Sequence, residues 1–294
     1  RICMLKGSIV ALVTPFHEDG TVNFEKLGEL LDWQIENSTD GILILGTSGE
    51  SSTMTHEEDD AVALYTIERV NHRVPVIVGA GSNCTQTALE KSLKYQNMGA
   101  DALLLISPYY NKANTQGMIR HFTTVADAVH IPIILYNVPG RTGCHIDEEA
   151  VKVLSKNPNI CGIKEASGNI SYATNIARYL SDDFVMYSGN DDMITSMMAL
   201  GASGVISVLA NCLPQETHQI VQDYLDGNVK ESLEKQLKYL DFIHALFMEV
   251  NPIPVKQALN YMGKEVGGYR LPLCEMDEEN AKHLKAVMED LGLC

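Results

Sequence analysis

Residues Ile131–Pro139 read IPIILYNVP. Between the two prolines lies an unbroken apolar run, Ile133–Leu135, that passes into Tyr136 and Asn137. A strand with one wet face alternates apolar and polar residues. A run that stays apolar belongs to a strand buried on both faces, as in a parallel sheet covered by helices. Seven further stretches read the same way: SIVALVTPF, GILILG, VPVIVGAG, ADALLLISP, ICGIKEAS, FVMYSGND and GVISVL. Helical patterns separate them, among them Glu57 to Val70, Thr85 to Met98, Gly117 to Val129 and Asn169 to Leu180. Asp147 ahead of EEAVKVL, and Thr55 with Glu58 three residues on, are the expected helix caps. Eight βα repeats predict the α/β class and a closed (β/α)8 TIM barrel. A doubly wound open sheet is the rival, and it wants a dinucleotide fingerprint. GAGSNC has Cys84 where the third glycine belongs, and GTSGES lacks the Gly-Lys of a phosphate loop.

Past about Gln215 the pattern is helical only. Leu233, Leu237, Leu240, Ile243, Leu246 and Phe247 recur at steps that read as one apolar face, for core or subunit contact. Helices continue through PVKQALNYM and DEENAKHLKAVMEDL. The expected organisation is a catalytic barrel over 1–224 and a C-terminal all-helical extension over 225–294, packed on the barrel because no Ser/Gly-rich linker divides them.

The chain has 294 residues, 45% of them hydrophobic and 20% charged, which suits a large packed core. Its formal net charge of −16 argues against nucleic acid or an anionic membrane surface as a partner. A small anionic substrate stays open if local cations dominate its pocket. The seven cysteines, Cys3, Cys84, Cys144, Cys161, Cys212, Cys274 and Cys294, are scattered without a C-x-x-C. That points to reduced thiols and a cytoplasmic location. The nine histidines show no metal spacing, so no metal is expected. The opening RICMLKGSIVALVTPF is not read as a secretory leader, since its apolar part is short and no cleavage site follows.

In such a barrel, chemistry sits where strands end. Alternation puts Ile160, Gly162 and Lys164 on one face of the sixth strand and Ile163 and Glu165 on the other. If Lys164 points inward, desolvation disfavours its charged form. A neutral amine attacks carbonyl carbon to give a Schiff base. The other reading leaves Lys164 at the rim, paired with Glu165 or another acid. Tyr136 shares a face with Ile134, so its phenol can relay protons beside Lys164; otherwise it is a core aromatic. In GTSGE, Gly46 and Gly49 permit a tight turn whose N–H groups suit a carboxylate, with hydroxyls from Thr47 and Ser48. An ordinary loop is the plain alternative. Arg141 either grips a carboxylate with two prongs or is a surface arginine.

Together GTSGE, SPYYNK, YNVPGRTG, GIKEASG, SGND and GVISV stand in the order of the dihydrodipicolinate synthase family, and the chain resembles that family along nearly its whole length. The family belongs to the Schiff-base-forming pyruvate aldolases and lyases. The resemblance implies condensation of pyruvate with aspartate 4-semialdehyde to 4-hydroxy-tetrahydrodipicolinate, on the route to diaminopimelate and lysine, with no cofactor. It implies a homo-oligomer, commonly a tetramer built from two tight dimers. It implies Lys164 as the Schiff-base lysine and Tyr136 as the proton-relaying phenol, with Thr47 and Tyr110 as relay partners, Tyr110 reaching in from a neighbouring subunit. Ser48 matches the holder of the pyruvate carboxylate, usually a threonine. Arg141 matches the receiver of the second carboxylate, and Gly189 and Ile206 match backbone positions lining the site.

Related lyases acting on sialic acid or sugar acids form the alternative. They generally lack an arginine in the loop of Arg141, so its presence favours an aldehyde that carries a carboxylate. Ser51, Ser52, His56, Asn83 and Tyr109 match an effector site for lysine. Asp59 departs from it, where a histidine is often found, as does Thr87, where an acid would hold the effector's amine. Loss of that acid removes a contact of ~1.5–3 kcal/mol, ~10- to 150-fold in affinity. Weak or absent inhibition by lysine is the expectation. Cys144, close to Arg141, is read as inert packing.

Overall fold

The computed structural model describes residues 5–294; Cys3 and the first four residues of the opening stretch lie outside them. Eight strands, β1 Gly7–Ala11, β2 Gly41–Ile44, β3 Val76–Gly79, β4 Ala102–Ile106, β5 Ile133–Asn137, β6 Ile160–Glu165, β7 Val185–Ser188 and β8 Gly204–Ser207, close into a barrel in chain order. Every pairing is parallel, including β1 with β8. The closing seam brings two glycines face to face. Gly7 and Gly204 have φ +146 and +153, and a Cβ on Gly204 would lie 1.8 Å from the Gly7 carbonyl oxygen. Only residues without a side chain fit that seam.

Around the barrel run α1 Phe24–Glu36, α2 His56–Val70, α3 Thr85–Met98, α4 Thr115–Ala128, α5 Pro139–Thr142, α6 Glu148–Leu154, α7 Ile170–Ala177, α8 Ile194–Ala199 and α9 Pro214–Leu225. The expected caps form. Thr55 and Glu58 make a reciprocal capping box on α2, and the Asp147 side chain accepts from Ala150 N at the start of α6. Alternation along the strands yields two apolar layers. Ile9, Leu43, Ile77, Leu104, Ile134, Tyr187 and Ile206 fill the barrel interior, while Val10, Ile42, Val78, Leu105, Leu135 and Met186 face the helices.

One strand breaks the alternation. Ile133 pairs with Ile160 but Ile134 pairs with Gly162, so β6 carries a bulge. Ile160 therefore packs outward and Cys161 joins the interior cluster, contrary to the reading that Ile160 shares a face with Lys164. Above the bulge the alternation resumes.

Beyond α9 come α10 Val229–Lys238, α11 Leu240–Leu246, α12 Ile253–Tyr261 and α13 Glu278–Asp290. The apolar stripe expected across 233–247 does not form one buried face. The chain breaks at Tyr239 between α10 and α11. α11 buries Phe242, Ile243 and Leu246, whereas α10 buries Ser232 and Gln236 and leaves Leu233 and Leu237 exposed. The buried polar pair is satisfied. Ser232 Oγ donates to Ile220 O at 2.6 Å, and Gln236 Oε1 accepts from Thr195 N at 2.9 Å. Side-chain hydrogen bonds, not the stripe, dock α10.

Candidate active site

The carboxyl ends of the strands open on a cavity of about 550 Å³. Its wall includes Gly46 and Thr47 after β2, Tyr136 on β5, and Arg141 and Thr142 on α5. Lys164 is not itself a wall residue. Its Nζ lies 4.2 Å from the centroid of the Tyr136 ring, which is. Lys164 is 6% exposed and Tyr136 equally so. They stand opposite each other in the parallel register of β5 and β6, so both side chains take the same face. The rim pairing of Lys164 with Glu165 does not occur. Glu165 points to the helix side, where it accepts from Asn137 Nδ2 at 2.9 Å and from Ser167 N and Oγ, each at 3.0 Å.

The GTSGE turn is held from several sides. Gly49 N donates to Gly46 O and Glu50 N to Thr47 O. Thr14 Oγ1 donates to Gly49 O at 2.7 Å. Glu50 takes the left-handed φ of +56, a conformation that a non-glycine residue keeps only under constraint. The constraint is Lys256 of α12, whose Nζ donates to Glu50 Oε2 at 2.7 Å and to Thr14 O at 3.0 Å. Ser48, 2% exposed, accepts on its hydroxyl from Asn251 Nδ2 at 3.0 Å. Arg141 donates to the Asn251 carbonyl at 3.4 Å. The helical extension thus reaches the two groups read as carboxylate holders.

Gly189 follows β7, and its N–H donates to Glu165 O at 2.8 Å. A Cβ there would come within 2.5 Å of the Ala166 Cβ. Ile206 lies on β8 in the barrel interior. Tyr110 stands apart from this group. It is 90% exposed, has φ +71, and is not in the cavity wall.

The effector set shares the cavity. Ser51, Ser52, His56 and Tyr109 line it, as do Asp59 and Thr87. Asn83 stays outside the wall and donates to the Tyr109 carbonyl at 3.2 Å. Sequence reading missed Lys91 here. Its Nζ lies 3.6 Å from Asp59 Oδ2, and Ser51 Oγ donates to Asp59 Oδ1 at 3.1 Å. Burial pushes the Asp59 carboxyl up to about 6, against the pull of Lys91 and Ser51. Cys144, half-buried, donates from Sγ to the Pro108 carbonyl at 2.9 Å. Asn251, Lys256 and Lys91 carry no motif. They sit in helical stretches or a loop whose sequence signals only packing, and tertiary structure alone brings them to the site.

Among the described residues no cluster of three or more His, Cys, Asp or Glu could hold a metal. No helix there is long and apolar enough to cross a membrane.

The sequence-family model described as the dihydrodipicolinate synthetase family matches residues 4–291. A 4-hydroxy-tetrahydrodipicolinate synthase of Caldicellulosiruptor saccharolyticus is 53% identical over 290 residues, 99% of this chain and 98% of that one. The solved structure of a chloride-inhibited dihydrodipicolinate synthase from Acinetobacter baumannii, complexed with pyruvate, superposes with a TM-score of 0.96. It is 39% identical and the match covers 99% of this chain and all of that one. A monomeric dihydrodipicolinate synthase variant matches with a TM-score of 0.96 at 36% identity, over 99% of this chain and 98% of that one.

Proposed function

The chain belongs to the dihydrodipicolinate synthetase family, and from that premise we propose that it condenses pyruvate with aspartate 4-semialdehyde through a Schiff base on Lys164, giving 4-hydroxy-tetrahydrodipicolinate. The observation that carries the reading is the buried Lys164 amine, set against the Tyr136 ring at 4.2 Å and bound by no carboxylate among the described residues. The amine attacks C2 of pyruvate, and the carbinolamine loses water to give an iminium. Tyr136 is placed to pass protons to and from the departing oxygen. The iminium draws electrons from the methyl group, which gives up a proton to form an enamine. That carbon attacks the aldehyde carbon of the second substrate. The substrate's own amine then attacks the iminium carbon and releases Lys164 as the free amine, one water having been lost overall.

Thr47, which lines the same cavity as Tyr136, takes the role of relay partner. The Ser48 hydroxyl and the backbone N–H groups of Thr47 and Ser48, which are not used within the turn, hold the pyruvate carboxylate. Arg141 takes the carboxylate of the semialdehyde, with Gly189 and Ile206 shaping the floor. Tyr110 completes the relay from a second copy of the chain. Its exposed ring suits a residue offered to a neighbour, and a homo-oligomer is part of this proposal. Tetramer size and a cytoplasmic, reduced setting belong to the same reading. In the effector region Lys91 already occupies Asp59 and adds a positive charge to the wall. Added lysine is therefore expected to inhibit weakly or not at all, and inhibition at micromolar lysine would refute that.

The experiment is borohydride reduction with pyruvate present. One pyruvate-derived adduct on Lys164, absent after Lys164→Ala, is expected. An adduct elsewhere, or none, overturns the Schiff-base assignment. Supplying pyruvate with aspartate semialdehyde or with a sugar aldehyde separates the synthase from a sugar-acid lyase. Consumption of the sugar aldehyde alone would favour the lyase.

A further inference from the structure

Behind Lys164 and Tyr136, on the helix side of the same two strands, lie two polar side chains where that face is elsewhere apolar. Tyr136 is in register with Lys164, and Asn137 with Glu165. Asn137 is 0% and Glu165 1% exposed. Asn137 Nδ2 donates to Glu165 Oε1 at 2.9 Å, and Asn137 Oδ1 accepts from Ile146 N at 3.0 Å, which fixes the way the amide faces. The other donors to Glu165 come from Ser167, so every one of these donors is neutral. A buried carboxylate held this way is costly, and an apolar pair would cover the face at less expense.

The bulge in β6 supplies the second observation. Because the pairing shifts between Ile133 and Ile134, the register at the foot of the two strands does not dictate the register at their top. A slip of one residue sends every side chain to the opposite face. We infer that the Asn137–Glu165 bridge is a positioning device for the active site: it locks β5 to β6 above the bulge and so keeps the Lys164 amine beside the Tyr136 phenol. The inference rests on the reading of Lys164 as the nucleophile. The bridge touches no substrate and acts only through its sequence neighbours.

The test is the rate of borohydride-trappable adduct formation with pyruvate, measured across pH beside kcat and KM. Glu165→Asp keeps the charge but is one methylene too short to reach Asn137. Its trapping rate and kcat should fall roughly 10- to 100-fold, the scale of a 1 Å misplacement, with the pH profile of trapping altered and KM for pyruvate little changed. Glu165→Gln keeps the length and an acceptor oxygen and should stay near the unsubstituted enzyme. Asn137→Ser breaks the bridge from the other strand and carries the same expectation as Glu165→Asp, so the outcome does not hang on one variant's folding. Variants that melt earlier yet trap pyruvate at the parent rate and pH profile would overturn the inference. So would a Glu165→Gln enzyme as slow as Glu165→Asp, since charge and not the bridge would then matter. Absence of trapping in the unsubstituted enzyme would instead sink the Schiff-base reading, and this inference with it.

Discussion

Lys164 and Lys256 are two buried lysines in opposite circumstances. Lys256 is 0% exposed, and its Nζ is bound to Glu50 and to the Thr14 carbonyl. Lys164 is 6% exposed and its amine faces the Tyr136 ring; the buried carboxyl that feels its charge, Asp191, is bound instead by Ser207 and by the N–H groups of Val208 and Leu209. Each amine also lies 4.2 Å from an aromatic centroid, Phe16 for Lys256 and Tyr136 for Lys164. The aromatic contact therefore does not separate them; the carboxylate does. A lysine whose charge is matched inside the protein is a tie between elements, here α12 and the GTSGE turn. A lysine whose amine is bound to no carboxylate is the one left for chemistry.

The comparison breaks most visibly in activity. Lys164→Met should lower turnover at least ~10,000-fold, about 5.5 kcal/mol of barrier, because no other group on the same face replaces the amine. The measurement is semialdehyde consumption by the folded variant. Loss of less than ~100-fold would move the nucleophile elsewhere.

Stability supplies the next break. Lys256→Met leaves Glu50 buried and unmatched, so unfolding in urea should become easier by about 3–5 kcal/mol. Adding Glu50→Gln should return most of that loss, since the double variant buries no lone charge. A double variant as unstable as the single would mean that packing around Phe16 and Tyr269, and not the charge match, is what Lys256 contributes.

The two lysines were not equally legible in the sequence. Lys164 interrupts a strand that is otherwise apolar, which singles it out, although the sequence left a rim lysine paired with an acid as the plain alternative. Lys256 lies in PVKQALNYM, where a lysine on a helix is ordinary. Its partner Glu50 is 206 positions away, and no local rule connects them. The eight strands were legible because each is a local apolar run. The bulge that moves Ile160 outward was not, because it depends on how β6 meets β5. The stripe over Leu233 to Phe247 was legible only in part, since Ile243 and Leu246 are core while Leu233 and Leu237 are exposed. Periodicity records which residues align, while Ser232 and Gln236 decide which side docks.

Arg270 extends the comparison toward solvent. Its guanidinium grips Glu58 with two bonds of 2.7 Å, and the two side chains are 19% and 29% exposed. Arg270 and the Thr55 N–H hold the Glu58 carboxyl down, at about 2, against some desolvation. A depressed carboxyl stabilises the fold above its unfolded pKa near 4.5, and that support drains away as pH falls through about 2. Solvent screening discounts the effect to ~1–2 kcal/mol. The stability difference between the parent and Glu58→Gln should therefore be full at pH 7 and nearly gone at pH 2. Asp59, raised to about 6, runs the other way, losing stability as pH climbs from 3.8 through 6. It cancels in that difference because both proteins carry it. A difference that ignores pH would show that the Arg270 grip does not depend on charge.

The smallest effect decides the most about Lys164. Opposing forces act on its amine. Burial without a bound carboxylate destabilises the fold, while the Tyr136 ring attracts a cation, by up to ~2 kcal/mol where water is excluded, and the Asp191 carboxyl adds to that attraction. If desolvation wins, Lys164→Met, which fills similar volume with an apolar side chain, should raise stability by ~1 kcal/mol even as it abolishes activity. The urea midpoint would move up with the slope unchanged. A drop would mean that the ring compensates the amine as fully as Glu50 compensates Lys256. Then the two lysines would differ in their partners but not in their cost, and only the open cavity beside Tyr136 would separate the reactive amine from the structural one.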